Sequence, residues 1–529
     1  MKLPAEFTEK MRDLLGDDEY QAFYRALREK VITHCLRINT AKITVEEFLR
    51  IFPYPLKEVP WCRQAFYLPK GFKASKHPYY HAGLYYLQEP SAVLPGVLLD
   101  PQPGEKVLDL CAAPGGKTTQ IGAAMKNRGL LFANDVNPRR LQALLKNVEN
   151  FGIHNIIILN EKPEALAARF PRYFDRVLVD APCSGEGMFR REPRLTTAWR
   201  RNYHPKYCVP LQRDLLKEAA KMVAPGGMLV YSTCTFSPEE DERQVAWFLE
   251  THPDFHPAVL PELSGVSPGR GEWAGYPDLT GTVRIWPHLA RGEGHFTTVL
   301  RREGEKEGVN AGDGEPPFLQ ENIRNRNRGA QTGDNTRAAT DARASHGGRA
   351  ASSGNLHEPT TKAIAAFHNF CTQVGIEPPG GWFPGEQSPG KRWSNKRMPE
   401  MPGRRFSAHA RYKEEEGKLY LLPSGLPDLR GLKVIRNGLF LGEYRGGDFK
   451  PAAALALALE RQAAVRELDF PPGSPELARY LRGETLLLDG DRVPGNGWVL
   501  IKTSGFPLGW AKRLGRLLRN EYPPSWRIR

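Results

Sequence analysis

Cysteine is scarce in this chain, and its number and spacing show no pairing pattern. Seven stand among 529 residues, at Cys35, Cys62, Cys111, Cys183, Cys208, Cys234 and Cys371. The number is odd, none forms a CxxC pair and no His-x₃₋₅-His follows, which argues against a disulfide framework and against a structural zinc site. No metal is expected. Long apolar runs are also missing: none approaches the roughly 20 residues needed to span a bilayer. The opening "MKLPAEFTEKMRDLL" lacks the apolar core of a signal peptide. The expectation is a soluble, cytoplasmic protein with no membrane partner. Acidic residues are in deficit, 60 Asp and Glu against 74 Lys and Arg, for a net charge of +14. That balance favours an anionic partner such as nucleic acid, a well-solvated basic surface being the alternative. There is no internal repeat.

A chain of this length exceeds one hydrophobic core, so about two to four domains are expected. Residues 1–100 mix helical patterns with the strand-like "HCLRINT", a small α/β module. From about 104 onward apolar runs alternate with helical stretches: "KVLDLC", "LLFANDV", "NIIILN", "DRVLVDAP" and "GGMLVYSTC". Such alternation predicts a parallel sheet with helices on both faces. "TVRIWPH" and "HFTTVLRR" add an antiparallel hairpin at its edge. Residues 303–403 are polar, with Gly, Asn, Arg and Ser prominent, and read as a largely disordered linker by composition. Beyond them lie short strands, a helix and a compact β-rich tail.

Within "VLDLCAAPGGKTTQIG" a strand passes through small residues into a helix. Gly115 and Gly116 let a ligand approach the backbone. The spacing is neither GxGxxG nor a P-loop, and a tight strand-to-helix turn is the plain alternative. Asp135 then ends the next strand about 20 residues on, where an acid can accept both ribose hydroxyls of an adenosine-type cofactor. Asn160, ending "NIIILN", is placed either to reach an adenine edge or to serve as a turn residue. An adenosine-containing cofactor without a phosphate-rich loop points to S-adenosylmethionine (AdoMet).

Cys111, Asp180, Cys183 and Cys234 all fall at or just after strand ends, where open α/β sheets bind their ligands. A lone cysteine there is usually core filler. Two cysteines at adjoining strand ends beside an acid suit methylation of a pyrimidine at carbon 5. That carbon is a poor nucleophile, and a thiolate adding to carbon 6 makes it enamine-like. The proton on carbon 5 must then leave before the thiol is eliminated, a task for a second residue such as Cys183. An acid such as Asp180, if protonated or sharing a proton with the ring, can hydrogen-bond cytosine N3 and the exocyclic amine.

"DLCAAPGGKT", "DAPCSGEGMFRR", "YSTCTFSPEEDE" and "LRINT" together resemble the RNA 5-methylcytosine methyltransferases of the NOL1/NOP2/Sun family, and within it the bacterial small-subunit rRNA branch F, also called YebU-like. The resemblance implies a Rossmann-like class I AdoMet-dependent methyltransferase fold over 101–302, an N-terminal RNA-binding module over 1–100, an intermediate domain over 404–465 and a β-rich PUA-like domain over 466–529. It implies Cys234 as nucleophile, Cys183 as the cysteine for product release, and Asp180 as the acid near base and cofactor, with Lys117 facing the cytosine. Cys111, Ala112, Ala113, Pro114, Gly115, Gly116, Lys117, Asp135, Asn160 and Asp180 are implied for AdoMet, although the family often has Asp where Asn160 stands.

The expected partner is structured RNA, 16S rRNA or the small ribosomal subunit, bound by a monomer. A target cytosine must be unpaired or flipped out. Arg190, Arg191, Arg194, Arg200, Arg201 and Lys206, interleaved with Trp199, Tyr203 and Tyr207, are candidate phosphate and base contacts or else a solvated face. In the tail, Lys512, Arg513, Arg516 and Arg519 are candidate phosphate contacts. Transfer RNA as substrate, and a non-catalytic ribosome-assembly factor, are the competing readings.

Overall fold

In the computed structural model the five apolar runs form the parallel strands expected of them. It describes residues 3–29, 32–202, 204–305, 360–376, 411–461, 464, 466–488 and 492–528. The central sheet has ten strands, two of them short; the other eight, numbered in chain order, are β1 (Lys106–Asp109), β2 (Leu130–Asn134), β3 (Ile156–Leu159), β4 (Phe174–Asp180), β5 (Val223–Thr233), β6 (Thr282–Ile285), β7 (His295–Arg302) and β8 (Val434–Asn437). Their order is β6-β7-β5-β4-β1-β2-β3-β8, with the short Phe255–Pro257 beside β7 and Ser267–Pro268 beside β6. β1 to β5 run parallel, and β6, β7 and β8 antiparallel to their neighbours. This is a Rossmann-like α/β sheet whose strand order reverses beside β1.

Strand side chains alternate between two cores, as a sheet covered on both faces requires. Ile156 and Ile158 of β3 enter one cluster, Ile157 and Leu159 the other. The helices used below are α1 (Ala5–Arg28), α2 (Gly116–Met125), α3 (Pro138–Phe151), α4 (Pro205–Met222), α5 (Glu242–Thr251) and α6 (Thr361–Val374). α3 shows why its residues form a helix there: Asn137 caps its N-terminus, Pro138 opens it and Gly152 in the left-handed region ends it. Its Leu141, Leu144, Val148 and Phe151 make the buried stripe.

The N-terminal module holds a four-stranded sheet, Lys57–Val59, Cys62–Tyr67, Cys35–Ile38 and Tyr85–Gln88 in that order. Two β-rich sheets follow at the C-terminal end, one of four strands between Arg411 and Pro451 and one of five between Glu467 and Asn520. The two ends of the chain share a core: Leu36, Phe48 and Tyr85 pack with Tyr480, Val499 and Phe506. His81 Nδ1 and Tyr522 Oη lie 2.9 Å apart across that contact.

Two features depart from the expected layout. Part of the stretch expected as disordered linker is α6, capped by Thr360 and Gly375. Its Ala363, Ala366, Phe367, Phe370, Cys371 and Val374 are buried, and it packs among Phe449, Trp498 and Trp510. The correction has a simple cause: those positions keep the i, i+3, i+4, i+7 spacing of a core helix, which the polar composition on either side masks. The rest of the expected linker, 306–359 and 377–403, lies outside the described residues. The second departure is β8, which comes from the region read as an intermediate domain yet completes the edge of the central sheet against β3, more than 270 residues earlier.

Candidate active site

The carboxyl ends of β1 to β5 bring the sequence-predicted residues together. β4 and β5 are neighbours with Asp180 opposite Ser232, so the turns that leave them carry Cys183 and Cys234 to the same place. Their sulfurs are 3.4 Å apart, and both residues are partly exposed. The adjoining Cys234 sulfur, and then burial, push the Cys183 thiol well above its ordinary pKa, so Cys183 is held as a thiol at neutral pH.

Asp180 lies beside the pair. Lys117 Nζ donates to its Oδ2 at 2.7 Å and Ser232 Oγ to its Oδ1 at 2.9 Å. Burial alone raises a carboxyl, but here the Lys117 charge and these hydrogen bonds outweigh it and hold Asp180 below the usual carboxylate range. Asp180 is thus an ionised acceptor. Lys117 is committed to it and is not left for a phosphate.

The turn expected to hold the cofactor is built mostly from backbone. Ala112 N–H donates to Asn134 O, and Ala113 N–H to Asp135 Oδ2 at 3.3 Å. The Ala113–Pro114 bond is cis. Gly115 has φ +107, and a Cβ there would meet Leu144 Cδ1 at 3.0 Å. Gly116 then opens α2. Asp135 also accepts from Asn137 N at 2.8 Å and pairs with Arg140 at 3.3 Å. Asn160 Nδ2 donates to Asp135 O, so its side chain fixes the backbone of the acid. Burial raises the Cys111 thiol, an inert group beside this turn. Burial also raises Asp109, at the end of β1, to about 7, and its Oδ1 has no hydrogen-bond partner among the described residues. Small side chains, backbone amides and buried carboxyls suit a ligand with hydroxyl and ammonium groups better than a polyphosphate, so the donor set fits AdoMet.

Comparison with known proteins decides the family. The model of the 16S rRNA methyltransferase RsmB/F family matches residues 96–301, and that of the N-terminal domain of 16S rRNA methyltransferase RsmF matches 3–90. The RsmF first C-terminal domain matches 400–459 and the RsmF PUA domain 467–528. The chain belongs to the RsmF branch of the 16S rRNA methyltransferase RsmB/F family. Family membership makes it an rRNA methyltransferase and so an enzyme. Among curated relatives, the ribosomal RNA small subunit methyltransferase F of Enterobacter sp. (strain 638) is 29% identical over 98% of this chain and 95% of its own. That of Escherichia coli O139:H28 is 28% identical with the same coverage. The solved structure of the protein PH0851 is 33% identical, covers 57% of this chain and 66% of its own, and superposes with a TM-score of 0.51.

Several residues that build the RsmF-type site were not singled out from sequence. Arg37, inside "LRINT", is buried and reaches from the N-terminal module to Gly116 O at 2.9 Å and Thr119 Oγ1 at 2.8 Å. It docks that module onto the cofactor turn. His295, first in β7, lies with Nε2 3.8 Å from Asp180 Oδ1. Burial first, and then the charge of Lys117, lower it to about 3, so the imidazole is neutral. Its place on a hairpin strand gave no sign of this. Glu186 and Glu240, in the quoted motifs, are fully buried beneath the two cysteine turns.

The candidate RNA contacts divide. Trp199 is a correction: it is 1% exposed and packs edge-on to Phe7, so it is core and not a stacking platform. Arg190 is another, buried in an ion pair with Glu293 at 2.7 Å and donating to Ala26 O and Gly292 O. Both face inward because α1 covers this segment. Arg191 donates to Thr33 O, while Arg194, Arg200, Arg201, Lys206 and Tyr207 remain exposed. Tyr203 lies outside the described residues. In the tail Arg513 is mostly buried and donates to Gly515 O, Arg519 pairs with Glu521, and Lys512 lies over Trp498. Arg516 is exposed. No helix among the described residues is long and apolar enough to cross a membrane.

Proposed function

We propose that this protein methylates carbon 5 of a cytosine in the 16S rRNA of the small ribosomal subunit, through a covalent bond from Cys234 to carbon 6 of the base. The observation that carries the reading is the pair of sulfurs 3.4 Å apart beside an ionised Asp180. Family membership supports the RNA substrate, and that substrate implies action in the cytoplasm.

AdoMet supplies an electrophilic methyl group when bound. The turn Cys111 to Lys117 with Asp135 and Asn160 would hold it, as would Asp180. Cys234 adds as thiolate to carbon 6, giving carbon 5 the electron density it lacks. Asp180 accepts a hydrogen bond from the exocyclic amine and steadies the ring while Lys117 holds the carboxylate in place. Cys183, partly exposed, first gives up its own thiol proton to solvent and then takes the carbon 5 proton, and the electrons of that C–H bond expel Cys234 as thiolate. The timing follows from the contact between the sulfurs. The Cys234 sulfur is the first cause of the raised Cys183 pKa, and its conversion to a thioether lifts that cause when a thiolate is needed at Cys183.

Bisulfite sequencing of total RNA with and without the gene tests the reading. Loss of one or more protected cytosines in 16S rRNA is expected. An unchanged 16S rRNA with a transfer RNA that loses its mark would move the substrate, and no change in any RNA would favour a binding role.

A further inference from the structure

The two cysteine turns are tied to each other by acids that sit on opposite sides. Glu186, three residues after Cys183, accepts from Thr235 Oγ1 at 2.9 Å, Phe236 N at 3.2 Å and Ser237 Oγ at 3.1 Å, all in the turn after Cys234. Glu240, six residues after Cys234, accepts from Ser184 N at 2.9 Å in the turn after Cys183. The same oxygen accepts from Gln212 Nε2 at 2.8 Å, and that amide also donates to Pro182 O at 3.0 Å. Ser184 Oγ and Thr235 Oγ1 meet at 2.6 Å, and Gly187 N–H donates to Cys234 O at 2.9 Å. A Cβ at Gly187 would stand 2.9 Å from that oxygen, so the turns approach as closely as backbone permits.

We propose that Glu186 and Glu240 are reciprocal positioning residues: each is carried on one cysteine's turn, holds the other's, and together they set the spacing of Cys183 and Cys234. The inference rests on the two-cysteine reading of the reaction. Buried carboxyls carry a large desolvation cost, and among the described residues neither of these faces a cation across a hydrogen bond, unlike the nearby Asp241 and Glu242, which both pair with Arg284. They face N–H and O–H donors of the opposite turn instead, Glu240 with Gln212 of α4 in addition. Burial first, and then the charge of Glu186, raise Glu240 to about 7, so a glutamine there keeps both the acceptor and the near-neutral state. An aspartate keeps the chemistry but pulls the carboxyl back by one methylene.

The test uses the full-length protein and two readouts. The first, without RNA, is capture by phenylarsine oxide, in which arsenic bonds both sulfurs and its oxygen leaves as water with the two thiol protons. The second is kcat and KM for rRNA methylation. Glu186→Asp and Glu240→Asp are expected to slow capture and lower kcat by about tenfold or more with KM for RNA held within about twofold. Glu240→Gln is expected to keep both near the wild-type level. Wild-type capture and kcat in both Asp variants, or equal losses in Glu240→Gln and Glu240→Asp, would overturn the proposal. Failure of both Asp variants to fold, judged by thermal unfolding, would also overturn it by making the acids merely structural. Normal capture by a wild-type protein that makes no 5-methylcytosine would sink the reaction reading instead, and the capture series would then judge the spacing by itself.

Discussion

The two halves of the central sheet solve different problems. At the ends of β1, β2 and β3 the turn is shaped by backbone and small side chains, with Ala112 on Asn134, Ala113 on Asp135, and Asn160 on the backbone of Asp135. At the ends of β4 and β5 and on β6 the protein pairs a part-buried Asp180 with Lys117, and buries Glu186 and Glu240 against opposing turns and Arg284 against Asp241 and Glu242. Buried charge is costly unless fully paired. Asp109 and Asp135 are buried on the first half as well; what sets the second half apart is that Glu186 and Glu240 tie two turns to each other, which holds atoms within fractions of an ångström, whereas the first half shapes a cradle for a ligand.

Substitutions can break this contrast. The largest effect is expected from Cys234→Ala, which should lower turnover by on the order of 10⁴ or more, with AdoMet affinity by calorimetry nearly unchanged. Next comes Arg284→Met, which strands two buried acids and should cost roughly 3–5 kcal/mol in chemical unfolding. Asp180→Asn should reduce kcat by about a hundredfold by weakening the acceptor for the base. On the cofactor half, Gly115→Ala forces a side chain into the left-handed region against Leu144 and should weaken AdoMet binding by about tenfold, while leaving arsenical capture by the cysteines intact.

The smallest effect sharpens the contrast by pH. Glu240 is raised to about 7 when folded, so between its ordinary value and 7 the folded state binds the extra proton. Its stabilising share is therefore present in acid and lost as pH rises through 7. Glu240→Gln should match the wild type near pH 5 and exceed its stability by on the order of 1 kcal/mol at pH 8. Urea unfolding at both pH values checks the sign.

Much of the site was legible because strand chemistry is local. Five apolar runs lead into Cys111, Asp135, Asn160, Asp180 and Cys234, and the pattern places such residues at or just after strand ends. What was not legible depends on contacts far apart in sequence. β8 pairs with β3 only after the whole C-terminal region has folded back. Arg37 finds Gly116 across the module boundary, and α1 turns Trp199 and Arg190 inward from a stretch that reads as a basic, aromatic surface. α6 was hidden for a different reason, since averaging composition across 303–403 diluted a clear apolar stripe. Glu186 and Glu240 lie in stretches that were quoted, yet acids in a polar run look solvated until the opposing turn is known.

The most direct test of the account is a denaturing gel of the protein after reaction with labelled 16S rRNA and AdoMet, comparing Cys183→Ala with Cys234→Ala. A covalent RNA–protein band in Cys183→Ala and none in Cys234→Ala is the predicted result, with Cys234 forming the bond and Cys183 needed to release it. A band in Cys234→Ala and none in Cys183→Ala would reverse the two roles and contradict the mechanism proposed here.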